Sequence, residues 1–404
     1  MSFNGSIPDL ETYLGNLLVF LSLTDHIELK LSNCPGFIEA VWPCIDLYSA
    51  SFIKCSFNGV ELNMTEQDLI LQMSSLESLQ MTCKHPPEYL LSHLDRFKHL
   101  KELVINLHND MDVVRFFPDT FKELRDLEKL VLKNVNLSKD SAKLAAFIAA
   151  FSNLTCFHLE CDHCPEFMKV FEGLSRNENI QEINLRGRFL HDSLMVHLAS
   201  LLPLFLNLKV FNIKDMYFQN MEKANTFVVA LPNLARLEEI YLPGGCGIRM
   251  IPQTIIQQFQ YLRNLRIISF PSNVLNDGCL LQLAHAVRDG HLSNIEKLDL
   301  TANHDITQSG WRDFFQLVDN LPKLNSLSIS RAYGREIKAD PLTFIALVQC
   351  VARLPSLRNL YMYSWLLDEK DIEMFNVMKT KHPQGQRFEL QWQWFLPFPA
   401  IVKD

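Results

Sequence analysis

The sequence has no surplus of positive charge, no long apolar run, no basic leader and no paired-cysteine framework. Each absence removes a class of function. The formal net charge is −8; a phosphate binder needs a concentrated basic face, so nucleic acid is not an expected partner. The longest apolar run, Leu198 to Leu206, is interrupted by Ser200 and Pro203 and falls well short of the ~20 residues that span a bilayer. No membrane association is expected. The opening MSFNGSIPDLETYLGNLL has no basic n-region, and Asp9 and Glu11 precede its apolar part, which is not a secretory signal. Ten cysteines are scattered through 404 residues, which fits reduced thiols and a cytoplasmic location. Catalytic signatures are missing too: there is no G-x-x-x-x-G-K-[ST] loop, no H-E-x-x-H and no G-x-S-x-G. Gly244-Gly245-Cys246-Gly247 is followed by no lysine and reads as a turn. The chain is therefore expected to be neither an enzyme nor a holder of a cofactor.

What is present is a comb. In IEKLDLTANHDI (295–306) apolar residues fall at offsets 0, 3, 5 and 11, with Asn303 at offset 8. Helices repeat near 3.6 residues and strands every two, so neither explains the spacing. The same spacing starts at Leu76, Leu100, Leu127, Leu154, Ile180, Leu208, Leu237, Leu265, Ile295, Leu324 and Leu357. Intervals run from 24 residues (Leu76 to Leu100) to 33 (Leu324 to Leu357). Eleven units in register make this a leucine-rich repeat protein. Two degenerate units are placed ahead of them, at Leu47-x-x-Ala50-x-Phe52 and His26-x-x-Leu29-x-Leu31, and a last strand is expected around Phe388 and Leu390.

The segments between combs read as amphipathic helices. Ser138, Thr307 and Asp277 are the expected N-caps, and Gly290 is the expected stop. The fold class is thus α/β: a ribonuclease-inhibitor-like horseshoe with a parallel sheet on its concave face and helices on its convex face. Residues 1–24 are assigned to a helical lead-in or N-terminal cap, 25–384 to the repeats, and 385–404 to a capping strand and tail. The asparagine position is not kept. It holds Asn273 and Asn303, but elsewhere Val135, Asp162, Arg188, Met216, Gly245 or Ala332, so no continuous asparagine ladder is expected there. Two loops are expanded after their strands, at 243–253 and 331–341, on the rim where recognition residues often sit.

A horseshoe's concave column lies at offset 4. Candidate partner-binding residues along it are His158, Asn184, Asn212, Tyr241, Asp299 and Tyr361, with Tyr363 and Trp365 extending the C-terminal aromatic cluster. The alternative is a plain solvated sheet face. The densest metal-like cluster is Cys156-Phe-His158-Leu-Glu-Cys161-Asp-His163-Cys164. A structural zinc normally takes two separated pairs of ligands, and no second pair follows; free thiols are the reading adopted, with no metal assigned. Arg331, Arg335 and Lys338 form a small basic loop, read as solvated.

Several stretches resemble the C-terminal region of the neuronal apoptosis inhibitory protein family of NOD-like receptors. They are DHIELKLSNCPGFIEAVWPCIDLYSASFIKC (25–55), ITQSGWRDFFQLVDNLPKL (306–324), QCVARLPSL (349–357), SWLLDEKDIEMFNVMKTKHPQ (364–384) and the FLPFPAIVKD end. In that family, three baculoviral inhibitor-of-apoptosis repeats, an ATP-binding NACHT domain and helical domains precede such repeats. The resemblance implies a receptor for bacterial flagellin or type III secretion needle and rod proteins. It assembles an inflammasome with a partner receptor that recruits a caspase. The repeats are implied to hold the receptor closed against its own upstream domains and to fold over ligand. The zinc pattern and the P-loop of the upstream domains are absent from this chain, so zinc and ATP binding do not carry over. A fragment of a larger receptor or a short decoy product is expected. Two rivals come from other classes: a leucine-rich repeat GTPase-activating protein, and a stand-alone inhibitor of a cytosolic enzyme.

Overall fold

In the computed structural model the comb becomes short parallel strands separated by helices. The structure describes every residue except 1, 5–20, 22, 25, 120–123, 163, 165, 188–191, 216–220, 243–250, 272–274 and 394–404. The expected lead-in helix and the expanded loop after residue 242 fall largely among these and lie outside the described residues. By contact the chain divides into two compact units, residues 1–189 with 204–208 and residues 190–203 with 209–404.

In the N-terminal unit the strands are Ser2–Asn4, Ile27–Ser32, Phe52–Asn58, Ser78–Cys83, Glu102–Met111, Lys129–Val135, Cys156–Glu160 and Glu182–Arg186. Each pairs parallel with the next. The C-terminal unit repeats the plan with Val210–Asp215, Glu239–Tyr241, Ile267–Ser269, Lys297–Asp299, Ser326–Ser328, Asn359–Tyr361 and Glu389–Gln391. This is the parallel α/β architecture of leucine-rich repeats. No helix among the described residues is long and apolar enough to cross a membrane.

Register explains the comb. The offset-3 residues lie side by side: Leu79, Leu103, Leu130, Phe157 and Ile183 in one unit, Ile240, Ile268, Leu298, Leu327 and Leu360 in the other. All are buried. Alternation then sends offsets 2 and 4 to the opposite face. Helices cover the buried face, as where Phe211 of a strand packs on Phe227 of a helix at 6.1 Å between ring centres. Burying one such side chain is worth roughly 1.5–3 kcal/mol, and every repeat contributes several.

Three local expectations need correction. The degenerate unit anchored at Leu47 is out of register: Leu47 is 91% exposed, while Cys55 and Phe57 pair with Leu79 and Met81. The anchor is Phe52, because the helix Phe37–Ile45 and the 3-10 turn Asp46–Ser51 carry Leu47 outward. Ser138 is not a cap; its N–H donates to Asn136 Oδ1, and the helix begins at Ser141. Asn276, not Asp277, caps the helix Asp277–Arg288 by accepting from Cys279 N at 3.0 Å. The freed Asp277 carboxylate instead receives Thr307 N at 2.7 Å and Thr307 Oγ at 2.6 Å. Thr307 caps as expected, and Gly290 has φ of 81° just past its helix.

Asparagines do form a partial ladder at a different position, one residue before several of the anchors. Asn153, Asn179 and Asn207 donate to the carbonyls of Arg125, Ser152 and Glu178 in the preceding repeat. In the C-terminal unit Asn264 and Asn294 donate to Ala235 and Arg263, and Ser356 does the same to Pro322. These side chains satisfy turn carbonyls of the preceding repeat. Asn303 is the described asparagine at the offset-8 position. It is buried, donates to Phe270 O and Leu300 O at 2.8 Å each, and accepts Leu275 N at 2.9 Å.

Candidate functional site on the open face of the sheet

Offset 4 forms a row on the face turned away from the helices. In the N-terminal unit Val131, His158 and Asn184 are register partners. In the C-terminal unit the row runs Asn212, Tyr241, Ser269, Asp299, Ser328, Tyr361 and Gln391. Asn184, Asn212, Tyr241, Asp299 and Tyr361 are all half-buried, flanked by neighbours yet reachable by a partner.

Asp299 is the hub of a chain of hydroxyls. Its Oδ2 accepts Ser269 Oγ at 3.0 Å, and its Oδ1 accepts both the N–H and the hydroxyl of Thr301. Thr301 Oγ meets Ser328 Oγ at 2.7 Å, and Ser328 donates to Ser330. Ser330 Oγ accepts Tyr363 N, and Tyr363 OH donates to Gln391 Oε1 at 2.7 Å. Tyr361 and Tyr363 lie 6.4 Å apart. The two rings therefore stand on a pre-ordered polar floor. Tyr241 is fixed by its own bond to Glu239 Oε2 at 2.8 Å.

Trp365 does not belong to this surface. It is 1% exposed, packs edge-on against Trp311 and donates its indole N–H to Ile329 O at 2.8 Å. The cause is backbone: Ser364 takes φ of 61°, which breaks the two-residue alternation carrying Tyr361 and Tyr363 outward. The strand Trp365–Leu366 then pairs with Ile337–Lys338 of the expanded loop. In that loop Lys338 is committed to Asp368 and Asp371. Arg331 donates Nε to Arg335 O, while its buried Nη1 has no partner among the described residues. Burial first, and then Arg335, lower the Arg331 guanidinium from its usual value.

Offset 2 supplies a charged row beside the first. In the N-terminal unit Ser78, Glu102, Lys129, Cys156 and Glu182 are successive register partners. Burial alone would raise Glu102, but hydrogen bonds from Lys129, Ser78 and Gln80 win and bring it down to about 2. Cys156 Sγ lies 3.4 Å from His158 Nε2, and His158 Nε2 lies 2.5 Å from Glu182 Oε1. Burial and then the Glu182 charge push the Cys156 thiol up to about 12, so it is no free nucleophile. Cys161 and Cys164 are buried in the stack instead, and His163 lies outside the described residues. The cluster legible in the sequence is thus divided, and Glu182 joins it from the next repeat; only the cross-strand register would have found it. In the C-terminal unit Arg266 forks between Glu296 (2.8 and 3.0 Å) and Glu238 (3.2 Å). It lines a shallow cavity of about 470 Å³ with Lys209, Arg236 and Lys323.

No family model matches the chain. Mouse baculoviral IAP repeat-containing protein 1e is 36% identical over 410 residues, covering 98% of this chain and 29% of the relative. The human baculoviral IAP repeat-containing protein 1 is 37% identical over 388 residues, 96% of this chain and 27% of its own. A frog (Xenopus tropicalis) NLR family CARD domain-containing protein 4 is 21% identical over 82% of this chain and 34% of its own. Among solved structures, an internalin from Listeria monocytogenes aligns at 13% identity and a TM-score of 0.46, over 81% of this chain and 83% of that one. The chain spans less than a third of the length of these two baculoviral IAP repeat-containing relatives. It is a homologue of the leucine-rich repeat region of the baculoviral IAP repeat-containing protein 1 group, the neuronal apoptosis inhibitory proteins among NOD-like receptors.

Proposed function

We propose that this chain is the protein-interaction and regulatory repeat domain of a cytosolic innate immune receptor. It holds the receptor closed through its upstream domains at rest. On activation it folds over bacterial flagellin or a type III secretion needle or rod protein, freeing the receptor to recruit a partner receptor and a caspase. Homology over nearly the whole chain supports the receptor class. The observation that carries the binding role is the ordered tyrosine pair: the Ser269-to-Gln391 chain already fixes Tyr363 beside Tyr361. Ordering an interface side chain costs about 0.5–1.5 kcal/mol, and here much of that cost falls on folding rather than on binding.

The test is a chimeric receptor carrying this region, compared with its Tyr361→Ala/Tyr363→Ala version. Aromatic anchors at an interface contribute about 2 kcal/mol or more each, so ligand affinity should fall at least tenfold, or basal caspase activation should rise. Unchanged affinity together with unchanged basal activity would remove these residues from the role. Acceleration of single-turnover GTP hydrolysis by the isolated chain would point to the GTPase-activating alternative instead.

A further inference from the structure

We propose that Cys156, His158 and Glu182 form a Zn²⁺ site that ties two neighbouring repeats of the N-terminal unit together. Sγ, Nε2 and a carboxylate oxygen supply three ligands, and water supplies the fourth. These are the donor types zinc selects. Among the described residues they form the one group of three such side chains whose ligand atoms all lie within 4.8 Å of one another.

Geometry argues for a shared guest. Cys156 Sγ and Glu182 Oε1 both converge on one atom, His158 Nε2, at 3.4 and 2.5 Å. That nitrogen carries at most one proton, while the Cys156 thiol brings its own to Glu182, so the three groups close a triangle of the size a metal ion would fill. A tetrahedral zinc with bonds of ~2.3 Å to sulfur and ~2.0 Å to nitrogen sets an S···N edge of ~3.5 Å, which the pair already has. The N···O edge needs to open to ~3.3 Å. Glu182 can provide this, since its side chain is 36% exposed and a carboxylate there swings at little cost.

The surroundings are arranged to suit. The strands Cys156–Glu160 and Glu182–Arg186 fix Cys156 opposite Glu182 and His158 opposite Asn184. Two ligands therefore come from one strand at i and i+2, and the third from its neighbour. The nearby Lys129 ammonium is drawn to Glu102 at 2.8 Å, and Glu102 is in turn held by Ser78 and Gln80. On binding, the thiol proton and any proton on His158 Nε2 leave to solvent. The ligands are then a thiolate, a neutral imidazole and a carboxylate. Their two negative charges balance the metal, so the adjacent lysine faces a neutral centre.

The test uses the full 404-residue chain, reduced, titrated with Co²⁺ as a spectroscopic stand-in and then with Zn²⁺. One equivalent of Co²⁺ should give visible d–d bands and a near-ultraviolet thiolate charge-transfer band, both abolished by Zn²⁺. Cys156→Ser should lose the charge-transfer band, and Glu182→Gln should weaken Zn²⁺ binding by about tenfold or more. Cys164→Ser should bind like the parent. As a check independent of the variants' folding, one equivalent of Zn²⁺ should raise the parent's Tm. No charge-transfer band in the parent, an unchanged Tm, or a band that survives Cys156→Ser but vanishes in Cys164→Ser would overturn the assignment.

Discussion

The two units spell the same repeat in different proportions. In the N-terminal unit the strands from Ile27 to Arg186 run five to ten residues, and their helices span only five to ten. From Glu239 onward the strands pairing in register are three residues each, and the helices from Asp277 are ten to thirteen. Capping follows suit. Asn276, Thr307, Asp340 and Asp368 each cap a helix through their side chains. Of the five N-terminal helices among the described residues only Met64–Ile70 is capped so, by Asn63; Gly36, Pro87, Asp140 and Glu166 make no such bond. One half is thus held mainly by its sheet ladder and the other by well-terminated helices and the turns that feed them.

That contrast is sharpest at asparagine. Asn303 in the C-terminal unit serves three backbone groups from a buried position, whereas Asn179 in the N-terminal unit serves one exposed carbonyl. Leaving buried backbone groups unpaired costs about 1–3 kcal/mol each, so Asn303→Ala should destabilise by ~3 kcal/mol. Asn179→Ala should cost under ~1 kcal/mol, because water replaces the lost donor. Urea denaturation of both variants measures the difference. Equal losses would mean that burial of the backbone groups served does not set the cost.

Legibility followed the same division. The comb at offsets 0, 3 and 5 was visible because each tooth is a buried side chain, from Leu100 to Leu360, and burial demands apolar chemistry at a fixed register. Polar positions obey a weaker demand. The asparagine ladder is not legible at offset 8, where Asn303 stands, because it lies before the strand, where Asn153 and Asn179 stand. The inward turn of Trp365 is not legible, because nothing in SWLL announces that a serine adopts positive φ. Leu47 took the anchor from Phe52 since both are apolar, and only the pairing of Cys55 with Leu79 separates them. Glu182 escaped because the sequence lists neighbours along the chain, whereas the open face assembles them across it.

Helix packing gives a second contrast. A Cβ on Gly173 would lie 2.5 Å from Ala145 O, a backbone atom of the adjacent helix Ser141–Ala150. Gly173→Ala must therefore push two helices apart, and overpacking of this kind costs about 1–3 kcal/mol. In the C-terminal unit a Cβ on Gly278 meets nothing nearer than Asn276 Oδ1 at 3.4 Å. There the helical preference of alanine, up to ~1 kcal/mol, should show as a small gain. Thermal melts of the pair decide it: a stabilised Gly173→Ala would mean that the N-terminal helices are not in close contact.

The smallest effect separates the units by pH. In the N-terminal unit burial, and then a shared hydrogen bond with Asp140, raise Asp112 from 3.8 to about 6. The folded form then keeps a proton that the unfolded chain has already released. Its contribution is fully present below about pH 4 and is lost as pH rises through about 6. Asp340 in the C-terminal unit goes the other way: a hydrogen bond from the Thr343 N–H lowers it, so its contribution is present above its unfolded value and lost as pH falls. Asp112→Asn keeps an acceptor for Arg115 N and removes the like-charge conflict. Because the site is partly solvated, the gain at pH 7 should stay below ~1 kcal/mol, and it should vanish near pH 4. Urea midpoints of parent and variant at the two pH values measure it. A gain of equal size at both would show that Asp112 is not what titrates, and the opposing slopes of the two units would lose their N-terminal half.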